Sequence, residues 1–180
     1  MTSDVDGGNG RMLSEDEQRV RSYLVGQGEQ RDWVELWPRF IQERGNLLQA
    51  TEKVSDEQAD FKPDAASWSI REIVEHVLNV SRAGMRRIED LSAGRELSNS
   101  EAGRMPTKFS MLRRHLTEHS IRYSALLERL PPSPDYDATA PHGNFGDLNF
   151  RSWFVFERVH DTDHLDQIKT VKAAPGYPAE

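Results

Sequence analysis

The chain contains no cysteine among its 180 residues. That excludes a disulfide framework, a thiolate zinc site and a cysteine nucleophile. A metal would have to be held by histidine, aspartate, glutamate or water, and thiol chemistry would need a thiol brought by a small molecule. Long apolar runs are missing as well. No stretch approaches the ~18 apolar residues of a transmembrane helix, so no membrane partner is expected. Positive charge is in the minority, with 23 Lys and Arg against 30 Asp and Glu and a formal net charge of −7. A dedicated nucleic-acid binder needs a basic surface for phosphates, so no nucleic-acid partner is expected either. The arginines Arg113, Arg114 and Arg122 read as the solvated face of a helix. The N-terminus is acidic and glycine-rich, without the basic-then-apolar order of a secretory signal, which makes the cytoplasm the expected location.

A length of 180 residues with 36% hydrophobic and 29% charged side chains suits one soluble domain with a substantial core. Residues 1–12 are polar and glycine-rich and read as a disordered tail; residues 13–175 read as a single domain. Ser14-Glu-Asp-Glu17 has the form of a capping box and opens a short helix ending near Gly26 or Gly28. A longer helix is expected from about Gln30 to Val54, with Pro38 either kinking it or marking its true beginning. Ser69-Ile-Arg-Glu72 is a second capping box, opening a helix to about Ser92 whose apolar residues cover more than half its circumference, as in a helix buried on two sides. A third long helix starts near Pro106 or Thr107 and runs to Pro131-Pro-Ser-Pro134. After a long loop through Pro141-His-Gly-Asn-Phe-Gly146, a fourth runs from about Asn149 to Lys172. No segment has a convincing strand alternation. The fold class is therefore all-α, a four-helix bundle with a short extra N-terminal helix.

The most informative segment is His160-Asp-Thr-Asp-His164-Leu-Asp-Gln167-Ile168. Histidines four apart on a helix share a face and can bind one transition-metal ion together. At ~100° per residue, Trp153, Phe156, His160, His164, Gln167 and Val171 lie within about ±40° of one direction. That stripe is otherwise apolar, so two histidines and a glutamine are expected to point inward, where an unpaired polar group is costly. A metal ion in a polar pocket would explain them; so would carboxylates on neighbouring helices. On the same angular argument Asp161 and Asp163 are expected in solvent. Catalytic zinc-type sites use three protein ligands, and four other histidines compete for the third place. His76 reads as a boundary residue on its helix, His115 as exposed among arginines, His119 as a core residue, and His142 as a loop residue anchoring its segment by a hydrogen bond.

The segment Trp68-Ser-Ile-Arg-Glu-Ile-Val-Glu-His76 resembles the first motif of the DinB/YfiT-like superfamily of metal-binding bundle proteins. Phe145-Gly-Asp-Leu-Asn-Phe-Arg-Ser-Trp153, followed by His160-x3-His164-x2-Gln167-Ile168, is similar to that family's second motif. The resemblance implies four helices in an up-down-down-up arrangement. It also implies a divalent metal held by His76, His160 and His164. Zinc, nickel, iron and manganese all accept imidazole.

Such an ion can activate water, polarise a carbonyl or hold a thiolate. The family resemblance implies a metal-dependent enzyme acting on a small-molecule substrate, such as an S-transferase using a low-molecular-weight thiol. Alternatives are a metal-dependent amide hydrolase and a non-catalytic metal-binding structural or stress protein. Gln167, one turn after His164, reads as a donor to substrate or metal-bound water, or as a packing residue hydrogen-bonded across the bundle. Glu72 and Glu157, about one turn before His76 and His160, read as a general base, as a partner for a ring N–H, or as ion-pair residues. Trp68 and Trp153 read either as pocket lining or as core. Aromatic residues on the helix beginning near Gln30 would suit a homodimer if exposed.

Overall fold

The structure, a computed structural model, describes residues 12–98 and 105–179. The tail expected over residues 1–12 lies, except for Met12, outside the described residues, as does part of the loop expected after Gly94. The chain is mostly helical. In order, α1 spans Glu15–Gln30, α2 Trp33–Ala50, α3 Asp56–Asp60, α4 Ile70–Ser92, α5 Phe109–Ser124 and α6 Leu126–Arg129. Strands β1 (Thr139–His142) and β2 (Gly146–Asn149) follow, and then α7 (Phe150–Ala173).

Local chemistry explains where the helices begin. The Ser14 hydroxyl accepts from Glu17 N at 3.2 Å while Ser14 N donates to the Glu17 carboxylate at 2.8 Å. Ser69 and Glu72 repeat the same reciprocal pair at the head of α4, at 3.2 and 2.8 Å. Each pair satisfies backbone donors that the first helical turn leaves open. Asn149 accepts from Ser152 N at 2.9 Å and starts α7. Pro38 lies inside α2 and does not mark its beginning. The third long helix is shorter than its periodicity suggested. It begins at Phe109, breaks at Ala125, and continues only as the single turn of α6 before Pro131.

One expectation is overturned outright: the segment before α7 contains a β-hairpin. β1 and β2 pair antiparallel with Ala140 opposite Leu148 and His142 opposite Gly146. Ala140 and Leu148 are the buried pair, joined to the aromatic core. Gly146 has φ +68°, a left-handed conformation that costs a glycine little and other residues more. The hairpin carries His142 back to the bundle.

The core consists of two apolar clusters with a polar layer between them. One cluster includes Phe40 of α2, Ile88 of α4, Tyr123 of α5 and Phe154 of α7; the other includes Leu47, Val77, Leu116 and Ile168 from the same four helices. Trp33 and Trp37 of α2 lean on Phe154, at ring-centroid distances of 4.9 and 5.4 Å, rather than facing outward. These ring contacts bury part of the aromatic surface of α2 within the chain.

Between the clusters, Arg44 of α2 donates from Nε and Nη2 to the two carboxylate oxygens of Asp161 at 2.7 and 3.0 Å. Its Nη2 also donates to Ser81 of α4 at 3.0 Å, and its Nη1 to Ser120 of α5 at 3.3 Å. Asp161 is fully buried, not solvated as its helical angle suggested. α7 packs against α1, α2 and α4, so a residue off its histidine stripe still meets protein. Removing one member of a buried, hydrogen-bonded ion pair leaves the other charge uncompensated. Arg44→Met is expected to destabilise the fold by about 3–5 kcal/mol in urea unfolding, and the double variant Arg44→Met/Asp161→Leu to recover most of that loss.

Candidate metal centre

His76 stands on α4 between the buried residues Val74 and Val77, and His160 and His164 stand on α7. The packing of α4 on α7 brings the three rings together. His76 Nε2 lies 3.0 Å from His160 Nε2, and His164 Nε2 lies 3.1 Å from the same atom. All three donor atoms fall within 4.8 Å of one another, a grouping that could hold a metal ion. Two imidazole nitrogens on one tetrahedral zinc, each ~2.0–2.1 Å from it, are roughly 3.3 Å apart, close to the spacing found here.

The surroundings keep these rings neutral. Burial, reinforced by His164 and His76, pushes His160 well below the usual imidazole range, to about 2. Burial also lowers His76, with His164 adding to the effect. His164 is lowered by burial against the opposing pull of Gln167. A neutral imidazole has one lone pair to give, and which nitrogen carries it depends on the partner of the other. His164 Nδ1–H donates to Gln167 Oε1 at 3.1 Å, which leaves the Nε2 lone pair facing the cluster. Trp68 stacks on the His164 ring at 6.0 Å and 8° and meets His76 edge-on at 5.0 Å. It is 42% exposed, so it walls the site from the solvent side rather than filling the core.

Two cavities flank the cluster. The first, of about 600 Å³, is lined by His76, His160, His142, Arg87 and Phe156 among others. The second, of about 630 Å³, is lined by Trp68, His164, Gln167 and three aspartates. Gln167 was expected to point inward; it is exposed at the rim of this second cavity while still holding His164. Both volumes are typical of small-molecule sites.

The other residues singled out from the sequence are not among the three grouped donors. Glu72 is committed to its capping box and to Lys62, whose ammonium lies 2.7 Å away and holds the carboxyl below its usual range. His119 is buried, with Nε2 3.2 Å from the Ser81 hydroxyl. Asp163 is exposed, as expected. His115 is only partly exposed, on α5, outside the cluster. His142 Nδ1 accepts from Asn144 N at 3.1 Å, the loop-anchoring bond expected of it, and its ring stacks on Phe145.

Glu157 lies in the polar layer, one turn before His160. It is wholly buried, neither of its oxygens has a hydrogen-bond partner, and the nearest cation is Arg44 at 3.9 Å. Ser81 also favours the ionised form, but its hydroxyl already accepts from Arg44 and meets His119. Gly84 makes room for the carboxyl, since a Cβ there would sit 1.9 Å from Glu157 Oε1. Burial raises the Glu157 pKa to about 8 against the opposing effect of Arg44. The folded state therefore holds a proton that the unfolded chain releases near the ordinary carboxyl value. Stability from this group is complete below that value and is lost as pH rises toward 8. Between pH 5 and 8 the wild type should lose up to about 1.4 kcal/mol per pH unit relative to Glu157→Gln in urea unfolding. Parallel stability profiles would refute the assignment.

Sequence reasoning did not single out Arg44. The signal was present: Leu36, Phe40, Arg44 and Leu47 follow helical spacing, which leaves one cation on an otherwise apolar stripe.

These features define a class: mostly helical proteins with three histidines from two helices gathered beside open cavities. Comparison with known sequences is specific. The family model of the DinB superfamily matches residues 39–168, and the chain belongs to that superfamily. It is also similar to the Bacillus subtilis (strain 168) protein named "Uncharacterized protein YuaE", with 25% identity over 142 residues, covering 66% of this chain and 86% of that protein. No solved structure matches the chain.

Proposed function

We propose that this DinB-superfamily protein binds a divalent transition-metal ion through His76, His160 and His164 and works as a metal-dependent enzyme on a small molecule. The reaction we favour is transfer to or from a low-molecular-weight thiol. The observation that carries the reading is the convergence of three neutral imidazole nitrogens, 3.0 and 3.1 Å apart, beside two cavities. The order in which the long helices meet the two apolar clusters supports the up-down-down-up arrangement: α2 and α7 run from the Phe40 cluster toward the Leu47 cluster, and α4 and α5 run the other way.

A bound divalent ion supplies positive charge that lowers the pKa of a coordinated water or thiol and polarises a carbonyl. The protein's own residues do the rest. Gln167 holds His164 in the tautomer that leaves Nε2 free, and Trp68 restricts solvent on one side. With no cysteine in the chain, the thiol must arrive as part of a small molecule. Amide hydrolysis would use the same site with water in place of the thiol. An enzyme is favoured over a purely structural metal site because the group contains three donors among the described residues, whereas closed structural sites use four protein ligands.

Elemental analysis and zinc titration of the purified protein test this. The wild type should carry a single divalent ion, and His76→Ala and His160→Ala should lose it. Gln167→Ala should weaken zinc binding about 10–100-fold while leaving the circular dichroism spectrum unchanged. Full retention of metal in both histidine variants would defeat the proposal. Turnover that vanishes without added thiol would select the transferase over the hydrolase.

A further inference from the structure

The two cavities beside the histidines differ in charge. Asp64, Asp163 and Asp166 line the one that contains Trp68 and Gln167, and none of its lining residues is a lysine or arginine. The other contains Arg87. His76, Val80, Ala83 and Arg87 follow one another along α4 at helical spacing, and all four line that cavity. The face of α4 that presents a histidine of the triad therefore presents a guanidinium to the same space.

Arg87 is half-buried, and its guanidinium carbon lies 4.2 Å from the centre of the Trp153 ring. Among the described residues it forms no hydrogen bond or ion pair. The carboxyl that acts on it is Glu157, which burial holds largely protonated at neutral pH. The histidines that line the cavity, His76, His142 and His160, carry no negative charge to set against it. The carboxylate among the lining residues, Asp163, is exposed at the rim shared with the other cavity. A cation anchored on an aromatic face, with unused donors and apolar walls around it, is a receptor for a planar oxyanion carrying an apolar body. Trp153 precedes His160 by two turns of α7, or ~10 Å, about the length of an arylalkyl carboxylate.

We propose that this cavity binds a small organic anion, with its carboxylate held by Arg87 and its apolar body against Phe145 and Phe156. The substrate class for the reaction proposed above is then an arylalkyl or similar apolar carboxylic acid. This assignment rests on that reading for its catalytic meaning, but the binding itself does not require the metal.

Calorimetric titration with 3-phenylpropionate, and with the neutral 3-phenylpropionamide, tests the assignment on metal-free and zinc-loaded protein. Metal-free wild type should bind the acid about tenfold tighter than the amide, the margin of one charge-assisted contact. Arg87→Gln should abolish that margin, and Arg87→Lys should keep part of it, with zinc content and melting temperature unchanged in both. Equal affinity for acid and amide in the metal-free wild type, or a margin that survives in Arg87→Gln, overturns the anion site. A preference that appears only with zinc and persists in Arg87→Gln also overturns it, while leaving the metal centre intact. If zinc fails to bind and the margin holds, the metal reading falls and the anion site stands.

Discussion

The buried pairing of Arg44 with Asp161 is the constraint on which the arrangement of the site depends. Both groups are almost completely removed from water. The desolvation cost of each ion is tolerable only because the contact is bidentate and the remaining donors reach Ser81 and Ser120. The partners come from α2, α4, α5 and α7, so the helices can satisfy this cluster in few relative positions. Asp161 immediately follows His160, and successive helical residues project ~100° apart. Holding the aspartate toward α2 therefore sets the rotation of α7 that turns His160 and His164 toward His76.

The same polar layer gives the centre its electrostatics. Apolar packing on either side withdraws the imidazoles from water and suppresses their protonation, which keeps their lone pairs available. Gln167 then selects the nitrogen of His164 that faces the cluster. Glu157, with Gly84 leaving it space, adds a carboxyl that burial keeps largely neutral, so Arg87 on the neighbouring wall is not discharged by an internal partner. The histidine cluster thus borders two spaces that differ in charge, one lined by three aspartates and no cation, the other by Arg87 with Asp163 at the shared rim.

Much of this could be read along the chain where the relevant chemistry is local. The Ser69–Glu72 capping box sits at the start of α4, and the four-residue separation of His160 and His164 alone puts them on one face. Asp161 was misread because an angular argument assumes that a helix has one dry face and one wet one. α7 has neighbours on several sides, so a residue off the histidine stripe can still be buried. The hairpin was missed because each strand has four residues and each buries one well inside the core, too little alternation to stand out. Gln167 went the other way: its helical position pointed inward, yet a cavity opens there and leaves it at a rim.

By itself, the sequence determined the helical class, the capped starts of α1, α4 and α7, the family and the spacing of the candidate ligands. Those properties depend on contacts within a few residues or on motifs whose order survives in the linear chain. That His76 meets the α7 pair was implied by the family motif and not by local spacing. Tertiary structure alone decided that Arg44 and Asp161 neutralise each other out of water and that Arg87 and His142 share a cavity with the cluster. These outcomes depend on which faces of distant helices touch, and contact free energy is settled by packing and desolvation between segments that the linear order does not join.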